Sequence, residues 1–172
     1  MTMASAFEDP FSQDRNPTAI VYCEGNFGNL DGKTANGLVR YSEKYKILAV
    51  IDSEKSGQDS GLVLDGKSNN IPICLNLSDA QRKLKKKASH FIFGMAPPSG
   101  LLSSNEREVI FSAIHLGMNI VNGLHEFLSD DPEFSLAAKE NNIELIDIRK
   151  PLPKKDLRLF NGKISEVSCP RV

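Results

Sequence analysis

The sequence predicts an α/β domain: a doubly wound, mostly parallel Rossmann-like sheet with helices on both faces. Short apolar runs of strand length recur along the chain, and segments with helical periodicity or helix-capping residues separate them. Strands buried on both faces form continuous apolar runs, and right-handed crossovers place the intervening helices on the two faces of a parallel sheet. A length of 172 residues suits one domain with an extension.

The first half of the chain alternates strand, helix and strand. Residues 1–17 are polar, contain two prolines and have no periodicity, so they are predicted to be a flexible lead-in. Strands are predicted at 18–24 and 47–52, and a helix at 34–44 with apolar residues on one side. A loop rich in glycine, serine and aspartate follows, and then a short apolar run at 71–75.

Capping residues locate the helices of the second half, at 78–87, 103–117 and about 130–140. The predicted capping boxes are Ser78 with Gln81 and Ser103 with Glu106. Pro132 suits the first turn of the last helix, which Ser129 or Asp130 is expected to cap. The remaining strands are predicted at 90–96, 119–124 and 143–149, and a small hairpin at 157–167.

Composition and charge narrow the classes of function. The net charge of -1 argues against nucleic acid and against an anionic membrane as partner. Three cysteines without a CxxC pair argue against a disulfide framework and a zinc knuckle, so no metal is expected. No apolar run approaches the roughly 20 residues that span a bilayer, and the first residues lack the apolar core of a secretory signal. We expect a cytoplasmic protein.

Ligands of a doubly wound sheet bind at the carboxyl ends of the strands, near the point where the strand order reverses. This rule selects candidate residues before any motif does. The candidates are Glu24, Gly25, Asp52, Gly94, Ala96, Pro97, Asn122, Gly123, His125, Glu126, Asp147, Arg149 and Lys150.

The glycine-rich stretch GNFGNLDGKTANG, residues 25–37, follows the first strand. Its glycines are too widely spaced for a dinucleotide fingerprint, and Phe27 stands where a phosphate-binding P-loop requires glycine. The stretch is either a surface loop or one wall of a ligand cleft. For the second interpretation, Lys33 would supply a positive charge and Thr34 a helix N-cap to an anionic ligand, beside Gly25 and Gly28.

A second string, GLVLDGKS at 61–68, satisfies the P-loop pattern completely. No strand leads directly into it, and SNNIPI rather than a helical segment follows. A phosphate cradle needs the strand–loop–helix frame to direct its amides. We therefore do not interpret this string as a phosphate site.

Three further features have both a functional and a structural interpretation. Asp52 would hold ribose hydroxyls in a dinucleotide enzyme, or would form a turn. Either His125 or Glu126 would do general acid–base work at the ligand edge, or both would only be hydrogen-bonded structure. The basic run RKLKKK, 82–87, is interpreted as the solvated face of its helix, since no aromatic residues accompany it.

Several long stretches resemble one known family: 24–61, GMAPPSG, NIVNGLHEFLSDDPE and DIRKP. This chain is similar to the N-terminal half of a two-domain prokaryotic family, often labelled NAD-dependent epimerase/dehydratase. That family joins a Rossmann-like domain to a C-terminal P-loop domain, and its characterised members are D-glutamate N-acetyltransferases that use acetyl-CoA. The resemblance covers about residues 18–172.

After the polar lead-in at 1–17, the resemblance implies a Rossmann-like domain at 18–150 and a linker with a small β segment at 151–172 that leads to an absent P-loop domain. It implies the ligand-binding half of a D-glutamate N-acetyltransferase-like enzyme, inactive alone, with acetyl-CoA as cofactor and a small anionic ligand. Lys33, Arg149 and Lys150 would pair with carboxylates. The alternatives are an NAD(P)-dependent oxidoreductase or epimerase, and a non-enzymatic assembly or regulatory domain; a homo-oligomer stays open.

Overall fold

Six strands alternate with helices in the computed structural model, which describes residues 16–97 and 100–151. The strands are β1 (Thr18–Tyr22), β2 (Lys46–Ile51), β3 (Ile73–Cys74), β4 (His90–Phe93), β5 (Asn119–Asn122) and β6 (Leu145–Asp147). The helices are α1 (Lys33–Tyr41), α2 (Ser60–Asp65), α3 (Leu77–Lys83), α4 (Ser104–His115) and α5 (Pro132–Glu140), with a 3-10 turn at Leu128–Asp130. The predicted hairpin at 157–167 and nearly all of the predicted lead-in lie outside the described residues.

The strands form a single parallel sheet in the order β3-β2-β1-β4-β5-β6. At its centre, Ile20 of β1 lies beside Ala49 of β2 on one side and beside Phe91 of β4 on the other. The strand order reverses between β1 and β4, which makes that pair the switch point of a doubly wound fold. The predicted fold class is therefore confirmed.

Two apolar clusters cover the two faces of the sheet. On one face, Tyr22, Ile51 and Phe93 pack with the buried residues of α3, α4 and α5. On the other, Val21 and Val50 pack with α1 and α2. Because side chains alternate along a strand, neighbouring residues of β1 belong to opposite clusters. This alternation continues past the strand ends and decides which side of the edge each polar residue faces.

The polar loop predicted after β2 contains a helix, α2, that sequence periodicity missed. Asp59 caps it, and its carboxylate accepts hydrogen bonds from the amides of Gly61, Leu62, Asn69 and Asn70. The hydroxyl of Ser68 donates to the same carboxylate at 2.9 Å. The first two amides of the P-loop-like string 61–68 are thus bonded to a carboxylate of this chain, as are two amides that follow the string, as expected outside the strand–loop–helix frame.

Two predicted helix caps, those of α3 and α5, differ from the observed ones. Asn76, not Ser78, caps α3, and that helix ends at Lys83 instead of continuing to residue 87. Asp131, not Ser129 or Asp130, caps α5, although Pro132 does occupy its first turn. The cause is the same in both cases, because several Asn, Asp and Ser residues near each helix start are all favoured N-cap residues. The capping box of Ser103 with Glu106 on α4 is confirmed.

Candidate functional site

The crevice between the carboxyl ends of β1 and β4 is bridged by main chain. The amide of Ala35 in α1 donates to the carbonyl of Gly94 at 2.9 Å, and the amide of Ala96 donates to the carbonyl of Asp31 at 3.1 Å. Gly94 is buried, and a Cβ there would lie 2.6 Å from Cγ1 of Val21. The loops after β1 and β4 are therefore tied together where a Rossmann dinucleotide would lie.

The glycine-rich loop after β1 folds onto itself before α1 begins. Gly25 and Gly28 have positive φ angles of 65° and 83°, a region that glycine adopts without strain. Lys33 and Thr34 are the first two residues of α1, and both are exposed. The prediction of Thr34 as N-cap is wrong, because the helix begins one residue earlier and Gly32 takes the cap position without a side-chain bond.

Asp52 is fully buried under this loop. Its Oδ2 accepts from the amide of Phe27 at 3.0 Å and its Oδ1 from the amide of Glu54 at 3.0 Å. Lys55 lies 3.9 Å from the same carboxylate. Phe27 is itself wholly buried against the α1 and α2 face. Asp52 thus anchors the first loop and has no exposed surface with which to contact a ribose, contrary to the dinucleotide interpretation.

A cleft of about 200 Å³ opens at the same edge, on the other face of the sheet. We name it the Tyr22 cleft. It lies among the carboxyl ends of β1, β2 and β3 and the first turns of α3 and α4. Its polar lining is Tyr22, Glu24, Ser53, Asn76 and Asn105, and its apolar lining is Ile51, Leu75, Leu77 and Val109.

The hydroxyl of Tyr22 is the most unusual group in the Tyr22 cleft. The residue is only 3% exposed, and its ring packs against Phe91 and Phe93. Among the described residues the hydroxyl of Tyr22 has no hydrogen-bond partner. Every polar side-chain atom of these residues that is fully buried does have a partner, so the hydroxyl of Tyr22 is not fully buried. The hydroxyl must therefore open into the cleft. Burial, and secondly the charge of Glu24, raise the pKa of Tyr22 above its usual value, so the group remains a proton donor.

Glu24 stands at the mouth of the Tyr22 cleft and is oriented by one residue. The amide of Ser53 donates to Glu24 Oε2 at 3.0 Å, and the hydroxyl of Ser53 donates to Oε1. No basic side chain of the described residues forms an ion pair with Glu24. The carboxylate is therefore held in place but not neutralised.

The two predicted catalytic candidates, His125 and Glu126, point to different partners. Glu126, in the loop after β5, accepts from the amide of Leu102 at 3.0 Å and lies 3.7 Å from Arg107. It therefore ties its own loop to the start of α4. The exposed His125 instead contacts Arg149, with 2.9 Å between Nη1 and Nε2. Arg149 can only donate, so His125 Nε2 is the acceptor. The two side chains thus have separate environments.

Arg149 and Lys150 differ in how available they are to a ligand. The ammonium group of Lys150 donates to the hydroxyl of Ser129 at 2.7 Å and pairs with Asp130. Arg149 has no carboxylate partner among the described residues. Of the two predicted cations after β6, only Arg149 can therefore pair with the carboxylate of a ligand without losing a carboxylate of the described chain.

Asp147 and Asn122 form the polar support of this part of the edge. Asn122 Nδ2 donates to Asp147 at 2.7 Å, and the amides of Leu128 and Ser129 donate to the same carboxylate at 3.0 and 2.9 Å. Burial opposes the charge of Asp147, but these hydrogen bonds outweigh it and the pKa of Asp147 is lowered. Gly123, in the loop after β5, and Pro97, in the loop after β4, are both half-buried.

Strand-end reasoning located Glu24 but missed the rest of the polar lining of the Tyr22 cleft. Ser53 and Asn76 each lie two residues beyond a strand, so the same rule could have selected them. Tyr22 gave no signal, because a tyrosine inside an apolar run looks like any core aromatic residue. Asn105 lies in the first turn of α4, where only the packing of that helix reveals its direction.

Residues 16–97 and 100–151 contain no group of three or more His, Cys, Asp or Glu side chains that could hold a metal ion. No helix in this part of the chain has the length and apolar character needed to cross a membrane.

The chain is similar to one family of domains and to two enzymes that share a name. The profile of DUF1611_N, a domain of unknown function described as a Rossmann-like domain, matches residues 53–151. The chain is 36% identical over 77 residues to a D-glutamate N-acetyltransferase from Pseudoalteromonas sp, a match that covers 45% of this chain and 23% of that protein. It is 30% identical over 64 residues to a D-glutamate N-acetyltransferase from Tritonibacter scottomollicae, covering 37% and 19%.

A solved structure is similar over nearly the whole chain. The crystal structure of a DUF1611 family protein from Anabaena variabilis ATCC 29413 has a TM-score of 0.76 and 27% sequence identity, over 90% of this chain and 43% of that one. The matched segments thus span less than half of the structural relative and less than a quarter of the curated relatives.

Proposed function

The chain belongs to the DUF1611_N family of Rossmann-like domains, and from that premise we propose that it is the ligand-binding half of a D-glutamate N-acetyltransferase-like enzyme. The names of two relatives support this activity. The observation that carries the proposal is the unpartnered hydroxyl of Tyr22, which opens into the Tyr22 cleft. A buried donor without a protein partner is costly unless a ligand or water accepts its hydrogen bond.

The size and lining of the Tyr22 cleft suit a small polar molecule. A volume of about 200 Å³ falls below the ~300–1,000 Å³ of drug-sized pockets and fits a ligand of amino-acid size. Tyr22, Asn76 and Asn105 can donate hydrogen bonds to carboxylate oxygens. The guanidinium of Arg149, which contacts His125 but no carboxylate among the described residues, offers a second site for an anionic group on the same edge of the sheet.

Acetyl-CoA is the proposed acetyl donor, through the family resemblance. The contacts of the first loop speak against the NAD(P) alternative. The amide of Ala35 is used by Gly94, and Asp52 is buried beneath Phe27. One amide of the first helical turn and the acid that would contact a ribose are therefore already bonded within this chain, which favours the acetyl-CoA proposal over NAD(P).

The carboxyl edge of the sheet also carries exposed apolar side chains. Leu30 is 82% exposed and Ile148 65%, and Leu75 and Leu101 also lie on this edge. These exposed apolar side chains share one edge of the sheet, and burial of that edge by another domain would remove them from water. Because the structural relative is more than twice as long as the match, we propose that a further domain, a P-loop domain by the family resemblance, covers this edge and completes the site.

Reconstitution tests the proposal. The 172-residue chain is incubated with acetyl-CoA and D-glutamate, alone and fused to the remaining sequence of a full-length relative, and N-acetyl-D-glutamate is measured by mass spectrometry. We expect product only from the fusion. Tyr22→Phe in the fusion is expected to lower kcat/KM without lowering the melting temperature. A fusion that is folded but forms no product would contradict the proposal.

A further inference from the structure

We propose that Glu24 binds the primary ammonium group of the ligand in the Tyr22 cleft, so that the cleft selects amino acids over carboxylates that lack an amine. This inference rests on the proposed function and adds to it the residue that recognises the amine. It follows from the distribution of charge and hydrogen-bonding groups around the cleft.

The carboxylate of Glu24 is positioned but keeps unused acceptor capacity. Both hydrogen bonds that it receives come from Ser53, through the amide and the hydroxyl. An ionised carboxylate offers about four lone-pair sites, so roughly half remain for a ligand. Since no described cation pairs with Glu24, an incoming ammonium group would have no protein partner to displace.

The other polar groups of the Tyr22 cleft have the opposite character. The hydroxyl of Tyr22 is a donor, and the side-chain amides of Asn76 and Asn105 can donate as well. Asn76 already uses its carbonyl oxygen to accept from the amide of Asp79 at 2.8 Å, which leaves its NH₂ group for other acceptors. The cleft thus places donors beside one uncompensated negative charge.

Simple ions satisfy only part of this arrangement. A dicarboxylate without an amine would meet the donors but would be repelled by Glu24, because like charges at this range are unfavourable. An alkylamine would pair with Glu24 and leave the hydroxyl of Tyr22 unused. A molecule that carries an ammonium group and a carboxylate a few bonds apart satisfies both, and this is the chemistry of an amino acid.

The test separates the amine from the carboxylates. The 172-residue chain is titrated with D-glutamate and with glutarate, which has the same two carboxylates and no amine. Binding is followed by the NMR shifts of the amides of Ser53, Leu75, Asn76 and Asn105. We expect D-glutamate to bind about tenfold more tightly than glutarate, the effect of one charge-assisted contact.

Variants assign that preference to one residue. Glu24→Gln keeps the size of the side chain and is expected to reduce the preference for D-glutamate to near unity. Glu54→Gln removes a neighbouring exposed carboxylate that does not line the Tyr22 cleft and should leave the preference unchanged. Ser53→Ala, which frees Glu24 to move, should lower the preference partly. Thermal melting checks that each variant is folded.

The possible outcomes are distinct. Equal affinities for the two compounds, or a Glu24→Gln variant that retains the tenfold preference, would overturn the role of Glu24 and leave the cleft as a ligand site. If neither compound shifts the cleft amides of the folded chain, the proposed function itself is contradicted.

Discussion

Replacing Asp52 by asparagine tests whether this residue serves the fold or a ligand. The carboxylate is fully buried and accepts from the amides of Phe27 and Glu54, each at 3.0 Å. Asparagine has nearly the same shape, but it presents one acceptor oxygen and one NH₂ group. One of the two amides would then face another donor, and the remaining bond would lose its charge.

The size of the effect follows from these two bonds. A hydrogen bond to a charged group contributes about 1.5–3 kcal/mol, and an unsatisfied buried donor costs about 1–3 kcal/mol. Since asparagine keeps one neutral bond, we expect the free energy of unfolding to fall by about 2–4 kcal/mol. Against a typical stability of about 5–15 kcal/mol, the variant should still fold.

Urea denaturation followed by circular dichroism measures this change, because the chain has no tryptophan for fluorescence. With a slope of about 2 kcal/mol/M, the midpoint should fall by about 1–2 M. Asp31→Asn, at an exposed carboxylate on the same loop, is the control and should leave the midpoint unchanged. A wild-type midpoint for Asp52→Asn, together with weaker binding of a small ligand, would refute the structural role.

Three further changes test the rest of the edge. Gly94→Ala should destabilise the fold by about 1–3 kcal/mol, because the new Cβ would lie 2.6 Å from Cγ1 of Val21; an unchanged melting temperature would contradict this. Asp147 has a lowered pKa in the fold, so its contribution is present above its unfolded pKa of about 3.9 and is lost as pH falls through the folded value. Asp147→Asn should therefore cost about 1–3 kcal/mol at pH 7, through the bonds from Asn122 and two amides, and should flatten the acid limb of a stability–pH curve; an acid limb as steep as that of the wild type would count against it. Arg107→Lys should cost about 1 kcal/mol at low salt and less at high salt, because lysine cannot hold Asp131 and Glu133 together; paired urea titrations with equal losses at both salt concentrations would argue otherwise.

The fold could be predicted from the sequence because its signal is local. Apolar runs such as those at β1, β2 and β4 are continuous and short, and the segments between them have capping residues or helical periodicity. The errors lie where local signals compete, as at the start of α3, or where a short polar helix such as α2 has no apolar stripe. Its stability comes from the cap of Asp59, which gathers amides from residues on both sides of the helix.

The candidate site was predicted only in part. The strand-end rule predicts a site at one edge of the sheet, but it cannot distinguish residues that serve the fold from those that face a cleft. Glu126, for instance, accepts from the amide of Leu102 and forms an ion pair with Arg107. Lys150 forms an ion pair with Asp130. Such partners lie 19 to 24 residues away in the chain, so no local pattern encodes them.

The sequence by itself determined the doubly wound sheet, its family and the edge at which ligands should bind. Only the tertiary structure decided which residues of that edge can meet a ligand. Asp52 and Ser53 show the reason. They are neighbours in the chain, yet alternation past β2 directs Asp52 under the first loop and Ser53 into the Tyr22 cleft beside Glu24. The direction of each side chain follows from the packing of both faces, which no single segment contains.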